Sequence, residues 1–131
     1  MLRRWPHTLL HDPARRPMWR CLWAALFVVV GVAALTPGEL APVVTASDKI
    51  DHLLGFAALS ATGVLAVSPG WRSALLASAG VLAYGVLIEL LQTRVPGRHG
   101  DLQDAVADAV GVALGVTMMI CLRWLFRKQA H

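Results

Sequence analysis

The chain has 131 residues, enough for one domain, and 56% of them are hydrophobic against 15% charged, where soluble domains carry roughly 25% charged residues. That balance excludes an ordinary soluble enzyme. The net charge of +4 does not indicate a nucleic-acid binder either, because the arginines flank apolar runs and do not coat one face of a folded domain.

Residues 1–17 are polar, basic and broken by Pro6, Pro13 and Pro17, and read as a cytoplasmic arm or short interfacial segment. The first apolar span runs from Met18 to Leu35 and is stopped by Thr36-Pro37-Gly38. Its apolar centre is short, but Trp19 and Arg20 can sit at the interface and extend it. A cleaved signal peptide is the competing reading, since basic residues precede an apolar run ending in Val32-Ala33-Ala34; the basic region is long for that role. The second span runs from Asp48 to Val67 behind a candidate N-cap at Ser47, and its first turn is polar: Asp48, Lys49, Asp51, His52. The third, Trp71 to Thr93, carries Glu89 and Gln92 near its end, and the fourth, Leu102 to Phe126, opens with Asp101, Asp104 and Asp108. Residues 127–131 form a short tail. Each span is close to the roughly 20 residues needed to cross a bilayer core. The expected fold is an all-α membrane bundle of four helices.

Lys and Arg set its orientation. With the N-terminus inside, the cytoplasmic side holds Arg3, Arg4, Arg15, Arg16, Arg20, Arg72, Arg123, Arg127 and Lys128, and the opposite side holds Lys49, Arg94 and Arg98. This positive-inside bias places both termini in the cytoplasm. Cys21 and Cys121 then lie at the cytoplasmic ends of spans, where thiols stay reduced, and read as small apolar packing residues. Met118 and Met119 likewise read as lipid-facing or packing residues.

The same topology gathers the unusual residues at the outer end, apart from His7, His11, Asp12 and His131 on the tails. At about 1.5 Å per residue, His52, Glu89 and Asp108 each lie roughly 9–10 Å from the centre of their spans, at a common level inside the hydrocarbon edge. Helical spacing stacks Asp48 with His52, Glu89 with Gln92, and Asp101, Asp104 and Asp108 along one stripe that continues into Gly111 and Gly115. Those glycines should seat a neighbouring backbone, with Gly55, Ser60, Gly63, Ser78, Ala83 and Gly85 offering similar surfaces. The bundle should be tight at mid-depth and open into a polar pocket above. Asp48 and Asp101 also fit a plainer role as first-turn carboxylates at helix N-termini. Lys49 also reads as a snorkelling lysine, and Arg94 and His99 read best as solvated loop residues. Carboxylates or an imidazole below the membrane surface are costly and usually face an interior cavity with a partner.

The run Asp48-Lys49-Ile50-Asp51-His52, then Glu89-Leu90-Leu91-Gln92, then Pro96-Gly97-Arg98, Asp104 and Gly111 resembles the VanZ-like family, whose pattern is D-K-x-x-H, E-x-x-Q and P-x-R-x-x-x-x-x-D-x-x-x-N-x-x-G. The likeness covers about Leu22 to Leu122, and one position departs: Asp108 stands where the family usually has Asn. The resemblance implies a multi-pass protein of the bacterial inner membrane, in a family named for a protein linked to teicoplanin resistance. Some members are described as phosphotransbutyrylases, a soluble cytoplasmic reaction that does not suit an outward pocket in lipid.

Two classes of function follow. In the first, the pocket modifies a lipid-linked or cell-wall precursor at the outer leaflet. His52, Glu89 and Asp104 are then the candidate acid/base residues, and Asp48, Lys49, Gln92, Arg98 and Asp108 bind substrate, Lys49 and Arg98 holding an anionic group. In the second, the same charges belong to a non-catalytic module that binds an envelope lipid, an antibiotic target or a partner protein. A purely structural ion-pair network stands beside both. His52, Glu89, Asp104 and Asp108 supply donors for zinc or manganese, but the H-x-x-E and H-x-x-x-H spacings of familiar zinc sites are missing. No metal, other cofactor or nucleic acid is therefore expected, and oligomeric state is not legible. Membrane lipids are the expected surroundings.

The topology is testable with Cys21 and Cys121 replaced by Ser. A cysteine at Ala41 should react with an impermeant thiol reagent in intact cells while a C-terminal tag stays protected. Labelling of the tag instead would invert the bundle.

Overall fold

The computed structural model describes Leu10, residues 12–42 and residues 44–128, with side chains as far as Phe126. His7, His11 and His131 of the expected tails lie outside these residues. Among the described residues there are four long helices and no strand: α1 (Arg16–Leu35), α2 (Asp48–Ala66), α3 (Trp71–Gln92) and α4 (Leu102–Lys128). Their bounds match the expected spans to within two residues. The all-α bundle is what the apolar runs and their polar stops imply.

Local chemistry accounts for the ends. Asp12 caps a short 3₁₀ turn, Pro13–Arg15, which feeds α1 with Pro17 in its first turn, where a missing N–H costs nothing. At the other end of α1 the Thr36 hydroxyl donates to the Val32 carbonyl. Ser47 holds the N-cap position of α2 through its backbone carbonyl, which accepts the N–H groups of Ile50 and Asp51, but its hydroxyl does not cap. The nearby Thr45 hydroxyl instead bonds both the Ser47 N–H and the Ser47 carbonyl. Asp101 caps α4 fully: its carbonyl accepts from Asp104 and Ala105 and its Oδ1 from the Gln103 N–H. At the basic end, Arg20 donates to the Ala66 carbonyl and Arg123 to the Val64 carbonyl. Arg20 and Arg123 therefore satisfy orphan carbonyls in the last turn of α2.

Among the described residues three stretches are long and apolar enough to cross a membrane: Pro13–Leu35, Trp71–Gln92 and Leu102–Phe126. The polar first turns of α2 keep it out of that set. It is instead the sheltered helix, burying His52, Phe56, Leu59, Ser60, Ala61 and most of its last turn, whereas α1 fully buries Gly31 alone. The largest interface is between α2 and α4. Residues Asp104, Asp108, Gly111, Val112, Gly115 and Met119 of α4 form the buried stripe, at the three- and four-residue steps of one helix face. A Cβ at Gly111 would strike the Leu53 carbonyl, and one at Gly115 the Ser60 hydroxyl and Ala57 carbonyl. Gly63 packs on Trp23 and Gly55 faces Val30, so α1 also crosses α2 at glycines. Ala83 does not join these contacts; it is exposed, because the buried face of α3 follows Ala77, Val81, Gly85, Ile88, Glu89 and Gln92. Met119 is buried and Met118 half-exposed, and both cysteines are free and exposed.

The α2–α4 crossing should be the stability-limiting contact. Gly111→Leu should lower the melting temperature and membrane abundance, by a cost of about 1–3 kcal/mol or more for overpacking against backbone. The same change at Gly80, whose Cβ would meet nothing within 4 Å, should leave both unchanged. Equal effects at the two positions would contradict this packing.

Candidate functional site

Every long helix contributes to the polar end. His52 comes from the second turn of α2, Glu89 from the last turns of α3, and Asp104 and Asp108 from the first turns of α4; all four are buried. His52 Nδ1 lies 2.9 Å from Asp108 Oδ1 and 3.7 Å from Glu89 Oε1. The expected common depth of these three residues is thus a direct contact. Room for Asp108 is made by α3: a Cβ on Gly85 would sit 2.7 Å from its Oδ2. Glu89 is fixed from outside, since its Oε2 accepts the Asp101 N–H at 2.9 Å.

The two candidate anion-binding cations have carboxylate partners of their own. The Lys49 ammonium donates to Asp101 at 3.1 Å and to Asp104 at 3.2 Å. Asp101, at the mouth of the cluster, has its carboxyl held below the ordinary range, first by the Gln103 N–H and then by Lys49. Arg98 spreads its fork over the end of α1: Nε donates to Thr36 O, Nη2 to Ala33 O and Nη1 to Asp48. Gln92, 1% exposed, also turns toward α1 and donates to the Ala34 carbonyl at 3.0 Å. Arg98 and Gln92 therefore satisfy the last carbonyls of α1, a role that spacing within α3 and its loop does not reveal. Of the two carboxylates read as first-turn residues, Asp101 caps α4 and pairs with Lys49, and Asp48 stands in the first turn of α2 and pairs with Arg98. Arg94 and His99 are exposed.

The cavity is not centred on the carboxylates. About 330 Å³ in volume, it lies between α1 and α2 beneath the connecting loop. Its walls are apolar, including Leu26, Val30, Ala33, Leu54 and Phe56, and its polar end is formed by Asp48, Asp51, His52 and Arg98. Glu89, Asp104 and Asp108 are not in the lining. His52 joins the two regions: it lines the cavity while its Nδ1 faces Asp108 and Glu89. Asp51 is a lining residue that the sequence reading passed over. It sits three residues from Asp48 on the same face, and its Oδ2 accepts the Val44 N–H, while its Oδ1 is buried without a partner.

A model of the VanZ/LLP1 family matches residues 18–126, which includes all four helices except the ends of α1 and α4. The chain belongs to the VanZ/LLP1 family. Among curated proteins and solved structures nothing matches it. The family match covers every residue of the polar end, so the ion pairs, the Asp108–His52 contact and the cavity all lie within the VanZ/LLP1 region.

The two arginine partnerships can be separated by substitution. Arg98→Lys keeps the charge but loses the fork that spans Thr36, Ala33 and Asp48, and should destabilise the protein by about 1–3 kcal/mol. Asp48→Asn removes a carboxylate whose side chain is 53% exposed and should cost within about 1 kcal/mol. Thermal unfolding of the two variants decides whether Arg98 is first a strut of α1.

Proposed function

We propose that this VanZ/LLP1 protein handles an envelope amphiphile from the outer leaflet of the bacterial inner membrane. The acyl portion occupies the α1–α2 cavity and the head group meets His52. The observation that carries this reading is the cavity's polarity: an apolar slot that ends on Asp48, Asp51, His52 and Arg98. Such a slot suits a molecule with a hydrocarbon body and a polar tip, few polar groups fixing the orientation of a largely apolar ligand. The chemistry at the tip is hydrolysis or group transfer, with His52 exchanging a proton with the substrate. A buried imidazole positioned through one nitrogen by a carboxylate is the arrangement that acid/base catalysis employs. Glu89 and Asp104 support it from behind: Glu89 lies beside His52, and Asp104 is neutralised by Lys49. Lipid-linked cell-wall precursors are the substrate class that fits both the membrane setting and this slot.

A non-catalytic reading is favoured by one observation. Lys49 and Arg98 are each occupied by carboxylates, so an anionic head group in the slot meets no unpaired Lys or Arg in its lining, and recognition would rest on hydrogen bonds to Asp48, Asp51 and His52.

Native mass spectrometry of the detergent-purified chain should find a co-purifying amphiphile. Ala33→Phe, which fills the slot, should remove it without loss of folding. Retention of the same amphiphile by a folded Ala33→Phe variant would rule the slot out. His52→Gln should leave the amphiphile bound and abolish any turnover, whereas unchanged turnover would leave only the binding module.

A further inference from the structure

We infer that His52, Glu89 and Asp108 hold a divalent transition-metal ion of the zinc or manganese class between α2, α3 and α4. The inference goes beyond the amphiphile reading and does not depend on it.

Two buried carboxylate oxygens here have no hydrogen to accept. Asp108 is 2% exposed and its Oδ2 is buried without a hydrogen-bond partner; Glu89 is 9% exposed and its Oε1 is likewise unpartnered. Buried carboxylate oxygens are nearly always satisfied, because an orphaned one forfeits its whole hydration. A proton on His52 Nδ1 cannot serve both sites: at 2.9 Å it bonds Asp108 Oδ1, and Glu89 Oε1 at 3.7 Å is beyond hydrogen-bond reach. The hydrogen-bonded arrangement therefore leaves two buried acceptors empty.

Charge gives the same result by a separate route. Six carboxylates converge at this end, Asp48, Asp51, Glu89, Asp101, Asp104 and Asp108, and two cations, Lys49 and Arg98, pair with three of them, Asp48, Asp101 and Asp104. Of the buried carboxylates, Glu89 and Asp108 have no Lys or Arg partner and only the imidazole beside them. Uncompensated charge at this depth is costly, and a divalent cation compensates both carboxylates at once and gives the empty Glu89 Oε1 a partner.

The donors fit such an ion. One atom each from His52, Glu89 and Asp108 can be taken so that all lie within 4.8 Å of one another. Ligands at 2.0–2.2 Å from a tetrahedral ion stand about 3.3–3.6 Å apart; the two pairs that include His52, at 2.9 and 3.7 Å, bracket that spacing, and the Glu89–Asp108 pair lies within 4.8 Å. One imidazole with two carboxylates matches zinc, manganese or ferrous iron better than soft thiol-seeking metals. The surroundings hold the ligands as metal sites require: the Asp101 N–H fixes Glu89 Oε2, and Gly85 leaves the space that Asp108 Oδ2 fills. The ligands come from three helices, which is why no short spacing motif announces them. With the ion on Nδ1, the His52 ring carries its proton on Nε2 and meets the cavity as a donor.

The full-length chain, purified in detergent, is stripped with EDTA, exposed separately to Zn²⁺ and Mn²⁺, desalted and assayed for bound metal and melting temperature. The expected result is about one equivalent of at least one of these metals per chain, with a rise in melting temperature that Mg²⁺ does not reproduce. His52→Gln and Asp108→Asn should each weaken binding at least tenfold, and Asp12→Asn, far along the chain, should not. Less than about a tenth of an equivalent in the unaltered protein, with no thermal shift, would overturn the inference. Metal retained equally by folded His52→Gln and Asp108→Asn variants would overturn it too, since the ion would then lie elsewhere. Because metal content is the readout, either failure leaves the amphiphile reading standing.

Discussion

The structure depends on one constraint: α2 brings polar first turns into the bundle, and in lipid no water is available to satisfy them. Its neighbours are arranged around that demand. Helix α4 gives its one buried stripe to α2, with carboxylates where α2 is polar and glycines where α2 presents backbone and the Ser60 hydroxyl. Helix α3 opens a space at Gly85 so that Asp108 reaches His52, and supplies Glu89 one turn later. The Tyr84 hydroxyl donates to the Phe27 carbonyl at 2.6 Å, drawing α1 across the same helix. Apolar contact alone would not choose this arrangement, because lipid tails attract a leucine as well as another helix does. Close backbone approach and polar satisfaction choose it.

The helices were legible because each apolar run ends at a strong stop: Thr36-Pro37-Gly38, Ser68-Pro69-Gly70, or the Pro96–Gly100 loop. The meeting of His52, Glu89 and Asp108 was legible because depth and helical period leave each residue little freedom once topology is known. Partnerships that pass through loops were not. Lys49 and Arg98 read as free cations since nothing in their spacing says that Asp101 will fold back over α2, or that the loop after α3 will lie against the end of α1. That closure rests on backbone contact, with the Gly38 N–H donating to the Pro96 carbonyl and Gly97 at φ +71°, a conformation glycine adopts without strain. The cavity was hidden for a related reason. It is a gap between α1 and α2, and the half-buried stripe of α1 looks the same in sequence whether it packs fully or leaves a slot.

His52 divides the polar end into two environments. On one side lie carboxylates held by helices that cannot move apart without breaking the Gly111 and Gly115 contacts. On the other is a cavity roofed by α1, the helix with the least buried surface. The buried carboxylates are therefore set among the closely packed helices, and the cavity lies against the helix that buries least.

The slot is also bordered by residues that belong to the outer surface, since Val29 is 61% and Leu54 50% exposed. Its mouth therefore opens sideways, between two helices, and an amphiphile of the kind proposed above would enter it from the hydrocarbon without crossing water. Occupancy is then a competition within a two-dimensional solvent, set by the mole fraction of the ligand among other lipids. A site that discriminates only weakly will be filled if its ligand is abundant in that leaflet. In micelles, the ratio of detergent to lipid and not the bulk concentration of either will decide what the slot contains.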